Sequence, residues 1–252
     1  MINGIINIYK ERGYTSHDVM AKMRGILRQR KIGHTGTLDP DAEGVLPVCL
    51  GSATKLCDMM TDKSKEYQAV LLLGVSTDTQ DITGKIMEER SVECDEEKIR
   101  AVISSFIGQY MQIPPMYSAL KVNGQKLVDL ARAGIEIERK ARPVEIFNIQ
   151  IQEINLPRVR FLVHCSKGTY IRTLCADIGE KLGCLGTMES LIRTRVASFT
   201  LENAISLGQL EKARDADEVE KYIIHTEQYF IDLPLAVIKE EYQKYADNGN
   251  KL

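Results

Sequence analysis

The chain has 252 residues, of which 44% are hydrophobic, and a formal net charge of −2 at pH 7. This composition is enough for a buried core and excludes a largely disordered chain. No apolar run reaches the ~18 residues of a membrane-spanning helix, and the N-terminus lacks the charged start and cleavage site of a signal peptide. We therefore expect a cytoplasmic globular protein without a membrane partner.

Charge is distributed unevenly along the chain. Residues 201–252 hold 6 Lys and Arg against 11 Asp and Glu, whereas residues 1–200 hold 27 against 24. A second basic bias, 13 against 8, spans residues 121–200. Residues 20–38 contain no acidic side chain and five basic ones, namely Lys22, Arg24, Arg28, Arg30 and Lys31. Such local positive charge is compatible with binding to a polyanion, and a solvated helix face is the alternative.

The first half of the chain predicts strands and isolated helices. A strand is expected over residues 1–8, and an amphipathic helix after Thr15. The Gly- and Pro-rich segment 33–44 follows, then a buried strand over 45–50 and a short helix over 53–60. Residues 67–73 predict another strand and 78–84 a polar turn, after which Asp95 caps a helix that ends at Gly108.

The second half continues this mixture. An extended segment is expected over residues 113–122, and a helix over 125–133 that stops at Gly134. Residues 144–154 and 159–165 resemble an antiparallel pair, followed by a helix over 169–182 and an extended stretch to Phe199. The acidic region after Glu202 is predicted to be helical. Without strict βαβ alternation, these elements indicate an α+β fold with a largely antiparallel sheet and flanking helices.

The cysteines give no sign of a metal or redox site. There are six, and none form a CxxC pair: Cys49, Cys57, Cys94, Cys165, Cys175 and Cys184. We expect free thiols in a reducing compartment. No cluster of His, Cys and carboxylates has metal-ligand spacing, and no phosphate-binding glycine motif is present. The sequence therefore predicts neither a metal nor an organic cofactor.

Segment 33–44 contains two polar residues, His34 and Asp39, that a turn alone would not require. Asp39 precedes Pro40, which pushes its backbone toward an extended conformation, and the three glycines allow tight turns. An Asp-Pro step is most often only a turn. A lone histidine is most often a structural hydrogen-bonding residue. A loop between a basic helix and an apolar strand is also a place where a scaffold would hold a catalytic carboxylate.

The segment reads Gly-His-Thr-Gly-Thr-Leu-Asp-Pro-x-Ala-x-Gly, which closely resembles the signature of the bacterial tRNA pseudouridine synthase B family. Further segments resemble other motifs of that family in the expected order, namely residues 65–67 with 78–81, 115–121 with 131–134, 165–172, and 183–193. Together they cover residues 1 to about 240. The resemblance implies the pseudouridine synthase fold, with a central RNA-binding cleft, and isomerisation of the T-loop uridine at position 55 of tRNA.

This reaction breaks the glycosidic bond at N1 of uridine, rotates the base and rejoins it through C5. Bond cleavage gives the sugar cation-like character, which a carboxylate stabilises or captures. The resemblance implies that Asp39 is the nucleophile. It leaves open attack on the sugar, attack on the base, and proton removal at the 2′ position. Arg172 is implied as the partner of Asp39, since a neighbouring Arg lowers a carboxyl pKa. The residues alone leave a phosphate contact or a surface position for Arg172.

The resemblance also implies a base-binding pocket. Tyr67 would stack on the target base and take part in catalysis, although a tyrosine with the ordinary pKa of ~10 is a poor base. Tyr170 and Leu191 would be further walls. His34 would fill the space left by the flipped-out nucleotide. Taken alone, Tyr67 is an ordinary strand aromatic and Leu191 a core residue.

Two departures from the family pattern concern Lys10 and the C-terminus. The usual Lys-Pro is replaced by Lys10-Glu11, a change that we expect the fold to tolerate. We expect residues 1–230 to form the catalytic domain, and residues 231–252 to be a remnant or the start of a missing PUA-like RNA-binding domain. Either the sequence is truncated or the natural protein is short.

We expect a monomer whose partner is the T-loop and T-arm of tRNA. Two alternative functions are a tRNA-binding folding chaperone without catalysis, and a pseudouridine synthase that acts on another RNA.

Overall fold

The computed structural model describes residues 1–230, residue 234 and residues 237–250. The strands are β1 (Gly4–Lys10), β2 (Ile32–His34), β3 (Glu43–Leu50), β4 (Lys65–Leu73), β5 (Val75–Thr77), β6 (Ile86–Glu89), β7 (Gly108–Gln112), β8 (Lys121–Val122), β9 (Gln125–Lys126), β10 (Arg142–Asn155), β11 (Arg158–Cys165), β12 (Gly186–Val196) and β13 (Phe199–Thr200). The α-helices are α1 (Ser16–Leu27), α2 (Cys57–Thr61), α3 (Glu96–Ser104), α4 (Leu127–Arg132), α5 (Ile171–Leu182), α6 (Leu207–Asp215), α7 (Thr226–Tyr229) and α8 (Gln243–Asp247).

One nine-stranded sheet organises the molecule. Its main path runs β1-β3-β12-β4-β11-β10-β7, with β2 paired to β3 and β13 paired to β12. Among the described strands of this sheet, every pairing is antiparallel except that of β12 with β3. β5–β6 and β8–β9 form two separate hairpins. The predicted α+β fold with a largely antiparallel sheet and flanking helices is confirmed.

Helix α1 shows how local sequence signals build these elements. The Thr15 side chain accepts a hydrogen bond from the Asp18 backbone amide, and the Asp18 carboxylate accepts one from the Thr15 backbone amide at 2.8 Å, which forms a capping box. Val19 and Met23 are fully buried on one face. The helix ends where Arg28 adopts a left-handed conformation with φ of 49°. The apolar face therefore packs inward and leaves the basic residues of 22–31 on the outer side.

Three apolar clusters cover the sheet. The largest joins α3 and α5 to β4, β10, β11 and β12. A second joins α1 and α6 to β1 and β3, and a third surrounds β13 and the end of β3. Residues 35–42, called here the Asp39 loop, connect β2 to β3. Leu38 and Ala42 pack into the largest cluster. The loop is thus anchored in the largest cluster.

Two predicted helix limits are wrong. Helix α3 ends at Ser104, because residues 105–107 form turns and Gly108, at φ of 105°, opens strand β7. Residues 125–126 belong to a hairpin and not to a helix. Asn123 and Gly124 have φ of 50° and 82°, as the two-residue turns of hairpins require. The Asn-Gly dipeptide was the signal for this turn.

The structure also bears on the predictions for the cysteines, the membrane and the C-terminal segment. All six cysteines are free, as predicted. Within the described residues, none of the helices combines the length and apolar character needed to cross a bilayer. In the predicted C-terminal remnant 231–252, residues 231–233, 235–236 and 251–252 lie outside the described residues. The proposed division at residue 230 stays a prediction.

Candidate active site

A cleft of about 790 Å³ opens beside the centre of the sheet. It is lined from distant parts of the sequence, and it brings together five of the six predicted site residues: Asp39, Tyr67, Tyr170, Arg172 and Leu191. His34 lines a neighbouring cavity of about 500 Å³. The cleft therefore combines the Asp39 loop, strands β4 and β12 and the start of α5.

The backbone of the Asp39 loop is fixed from several sides. The Ser16 hydroxyl at the start of α1 accepts from the Leu38 amide at 3.0 Å. The carbonyl of Pro40 accepts from the Gly13 amide at 2.9 Å and from Nζ of Lys10 at 3.0 Å. Polar groups from β1 and α1 thus hold the residues on either side of Asp39. The carboxylate itself remains 43% exposed.

Arg193, on β12, anchors the same loop from beneath and is only 1% exposed. Its Nε donates to the Val45 carbonyl at 2.7 Å, and its Nη2 donates to the Gly36 carbonyl at 3.2 Å. Gly44 has φ of 105°, and a Cβ there would lie 2.3 Å from the Arg193 carbonyl oxygen. Only glycine allows β3 and β12 to approach so closely at this position.

The structure places Arg172 directly against Asp39. Its Nε lies 3.0 Å from Oδ2 of Asp39, and its Nη1 lies 3.7 Å from Oδ2 of Asp81. The two terminal nitrogens also donate to the carbonyls of Thr79 at 3.0 Å and Tyr117 at 2.7 Å. The guanidinium is thereby held in a single orientation. A planar fork with five N–H groups suits this set of acceptors better than a lysine would.

The electrostatic environment of Asp39 has two opposing parts. Burial raises the pKa of Asp39 above its usual value, while the Arg172 guanidinium opposes this rise and the carboxylate of Asp81 adds to it. Lys10 also favours the anion. The ion pair with Arg172 therefore supports the ionised form, which is the form that can stabilise or attack a cation-like sugar.

Tyr67 occupies the centre of the sheet. It lies on β4, opposite Val163 of β11 and Arg193 of β12, and is 9% exposed. Burial raises the pKa of Tyr67, and Arg193 opposes the rise through charge and a hydrogen bond. The side chain is therefore a neutral phenol near pH 7, suited to stacking and hydrogen bonding. This agrees with the expectation that tyrosine is a poor base here.

Tyr170 and Leu191 form other parts of the wall. Tyr170 is the N-cap residue of α5, directly before the first turn that carries Arg172. Its backbone amide donates to the Gln112 side chain at 2.8 Å, and its carbonyl accepts from Gln112 at 3.0 Å. Leu191 lies on β12 and is 8% exposed. Both side chains offer apolar surface at the cleft.

Lys65 and Arg193 line the cleft but were not among the predicted site residues. Lys65 lines the cleft at 6% exposure and donates to the carbonyls of Thr61 and Lys63. Burial, with Arg193, lowers the pKa of Lys65 to about 8. Lys65 and Tyr67 are two residues apart on one strand and so share a face. That spacing was the available signal.

His34 has a defined protonation pattern. Its Nδ1 accepts a hydrogen bond from the Gly36 amide at 3.2 Å, so the neutral ring carries its proton on Nε2. Burial lowers the pKa of His34, and the charges of His17 and Arg193 lower it further. The ring centroid of His17 lies 6.0 Å away, with an interplanar angle of 77°. His34 is thus a neutral donor beside a second imidazole.

The arrangement of possible metal ligands also bears on the chemistry of the site. The part of the chain that the structure describes contains no group of three or more His, Cys, Asp or Glu side chains that could hold a metal ion. The sequence-based expectation that the protein uses neither metal nor cofactor stays a prediction.

Two family models match consecutive parts of the chain. The TruB family pseudouridylate synthase (N terminal domain) model matches residues 24–171, and the tRNA pseudouridylate synthase B C-terminal domain model matches residues 172–230. The two matches meet between Ile171 and Arg172. The ion pair with Asp39 therefore joins the two matched regions.

Similar proteins and structures agree with these matches. The chain is 54% identical to a tRNA pseudouridine synthase B of Lachnoclostridium phytofermentans, covering 100% of this chain and 84% of that protein. It is 44% identical to the tRNA pseudouridine synthase B of Bacillus subtilis, covering 99% and 83%. A crystal structure of a Cbf5-Nop10-Gar1 complex matches with a TM-score of 0.79 and 32% identity, over 99% of this chain and 68% of that one. The chain therefore belongs to the TruB family of pseudouridylate synthases.

Proposed function

We propose that this protein is a tRNA pseudouridine synthase that isomerises the T-loop uridine at position 55. The observation that carries the proposal is the ion pair of Asp39 and Arg172 at 3.0 Å in the large cleft. It joins two regions that match TruB-type models. Relatives 44% to 54% identical over nearly the whole chain bear the name tRNA pseudouridine synthase B.

In the proposed reaction, the Asp39 carboxylate acts on the nucleotide while its glycosidic bond breaks. Arg172 fixes the orientation of the carboxylate and favours its ionised form. Tyr67 stacks on the detached base, and the buried phenol is available as a hydrogen-bond donor. These roles apply to attack on the sugar, attack on the base and proton removal at the 2′ position alike, because each requires an ionised Asp39.

The other residues of the site bind the RNA in this proposal. The target base enters the cleft between Tyr170 and Leu191 after it is flipped out of the T-loop. Neutral His34, with its proton on Nε2, takes the vacated space and donates a hydrogen bond to the RNA. The basic residues of 22–31 add attraction to phosphates. We further propose that the protein acts in the cytoplasm as a monomer.

One structural neighbour bears on the alternative that this protein acts on an RNA other than tRNA. One match, 30% identical with a TM-score of 0.75, is the structure of an H/ACA RNP bound to a substrate RNA containing 2′-deoxyuridine. Relatives named for tRNA are more similar, at 54% identity. This difference favours tRNA. A tRNA-folding chaperone without catalysis would not need the precise pairing of Asp39 with Arg172.

The decisive experiment measures release of tritium from a T-loop minihelix labelled at C5 of its uridine. Isomerisation replaces the hydrogen at C5, so we expect stoichiometric release by the wild-type protein and none by Asp39→Asn. Filter binding of the same RNA serves as the control for folding. Binding without release by the wild type would contradict the enzyme and favour the chaperone.

A second substrate identifies the RNA. A minihelix with the same stem and an unstructured loop should release at least tenfold less tritium if the T-loop shape is recognised. Equal release from both RNAs would contradict specificity for the T-loop and favour a synthase for another RNA.

A further inference from the structure

The cavity beside His34 is separate from the cleft that holds Asp39. It is formed by α1, strand β2 and the short helical segment after β3, and its volume is about 500 Å³. We call it the α1–β2 pocket. Met20 and Ile32 give it apolar lining, and Gly33 passes so close to Cys57 that a Cβ would lie 2.9 Å from the thiol sulfur. The pocket is therefore a shallow depression with a packed floor.

The charged side chains that line the α1–β2 pocket are all positive. Arg30 and Lys31 line the pocket, and no acidic residue does so. Among the described residues, none of the five basic side chains between residues 20 and 38 forms an ion pair within 4.0 Å. Elsewhere the structure pairs arginines readily, as Arg158 with Glu189 at 2.8 Å. A basic pocket without an internal counter-charge suits an anionic ligand.

His17 connects the pocket with the active-site cleft. It is an exposed residue in the first turn of α1 and lines both cavities. With His34 it forms an edge-to-face pair of rings, whose centroids are 6.0 Å apart. A ligand that spans both cavities would therefore pass His17.

We propose that the α1–β2 pocket binds a backbone phosphate of the RNA next to the flipped nucleotide, with Arg30 and Lys31 as its ligands and His17 at the boundary of the two sites. The proposal rests on the proposed function, since it assigns a second contact to the same RNA. It gives the unpaired basic residues a specific task in addition to general attraction. A phosphate is favoured because guanidinium and ammonium groups both bind its oxygens.

The test removes one charge from each side of the contact. Arg30→Gln and Lys31→Gln change the protein, and a neutral methylphosphonate replaces single phosphates around the target uridine in a T-loop minihelix. Arg28→Gln is the matched control, because Arg28 is exposed and belongs to the same basic stretch but does not line the pocket. Dissociation constants are measured by fluorescence anisotropy, and thermal melting confirms folding.

We expect Arg30→Gln to weaken binding of unmodified RNA about tenfold, as for loss of a hydrogen bond to a charged group. A methylphosphonate at one position should weaken the binding of the wild type by a similar factor. The same methylphosphonate should weaken the binding of Arg30→Gln by less than about twofold, because the contact it removes is already lost in this variant. The salt slope should decrease by about 1.

Equal losses for Arg30→Gln and Arg28→Gln would overturn the pocket and leave only a general basic field. Absence of coupling at every methylphosphonate position would also overturn it. Release of tritium by the wild type separates these outcomes from a failure of the proposed function.

Discussion

Replacement of Arg172 gives the sharpest prediction for the site. In the wild type, its guanidinium contacts carboxylate oxygens of Asp39 at 3.0 Å and Asp81 at 3.7 Å, and two backbone carbonyls at 2.7 and 3.0 Å. Arg172→Gln removes the charge, and Arg172→Lys keeps it but loses the planar fork. The two variants thus separate the effect of charge from that of orientation.

The magnitude follows from the opposing influences on Asp39. Burial raises the pKa of Asp39, and Arg172 is the largest influence that lowers it. A neighbouring Arg lowers a carboxyl pKa by about 1–3 units, and the 43% exposure of the Asp39 side chain favours the lower end of that range. In Arg172→Gln the pKa of Asp39 should therefore rise further above its usual value, because its largest lowering influence is lost. Because the proposed mechanism requires the Asp39 anion, the acid limb of kcat/KM should move to higher pH.

Initial rates of tritium release at subsaturating RNA, between about pH 5 and pH 9, measure that limb. Arg172→Lys should move it less than Arg172→Gln and still have a lower rate at its plateau. Arg158→Gln is the control, because it breaks an exposed ion pair away from the cleft. An unchanged acid limb in a folded, RNA-binding Arg172→Gln protein would refute the electrostatic role of Arg172.

Two further predictions concern stability. Gly44→Ala should lower the free energy of unfolding by more than about 2 kcal/mol, because the new Cβ would lie 2.3 Å from the Arg193 backbone. Gly134→Ala is the control, since Gly134 has φ of 73° but lies in open space, and it should cost only about 1 kcal/mol. Equal losses in urea titrations of the two variants would contradict this reasoning. Burial raises the pKa of Asp177 to about 6 from 3.8, so the folded state resists ionisation of this carboxyl. Asp177→Asn should then stabilise the protein by about 1–3 kcal/mol at pH 8, and the gain should fade as pH falls from 6 to 4; an equal gain at pH 4 would contradict the reasoning.

Local sequence signals predicted most of the secondary structure. Thr15 and Asp95 were recognised as helix caps, and both cap helices in the structure. The buried run of residues 45–50 lies within β3. Errors occurred where a turn depends on positive φ, as at Gly108 and in the Asn123-Gly124 hairpin. Hydrophobic periodicity carries no information about such turns, so they require the dipeptide signal itself.

Fewer contacts of the site than features of the fold could be predicted from the sequence. The resemblance to a family implied the pairing of Asp39 with Arg172, and the structure places their side chains 3.0 Å apart. It gave no indication that Arg193 would hold carbonyls of the Asp39 loop. That contact depends on the insertion of β12 between β3 and β4, a topology that periodicity within one segment cannot reveal.

The buried cations around the Asp39 loop explain how the fold presents a carboxylate. Lys10 and Arg193 are at most 1% exposed, and both donate to loop carbonyls. Burial lowers the pKa of Lys10 to about 8, so keeping its charge there is unfavourable. An apolar side chain could fill the same volume, but it would leave the Pro40 carbonyl without the Lys10 donor and remove a charge that favours the Asp39 anion. Lys10 and Arg193 thus fix the backbone of the loop, and Lys10 also supports the ionisation of its carboxylate, which a purely apolar support could not do.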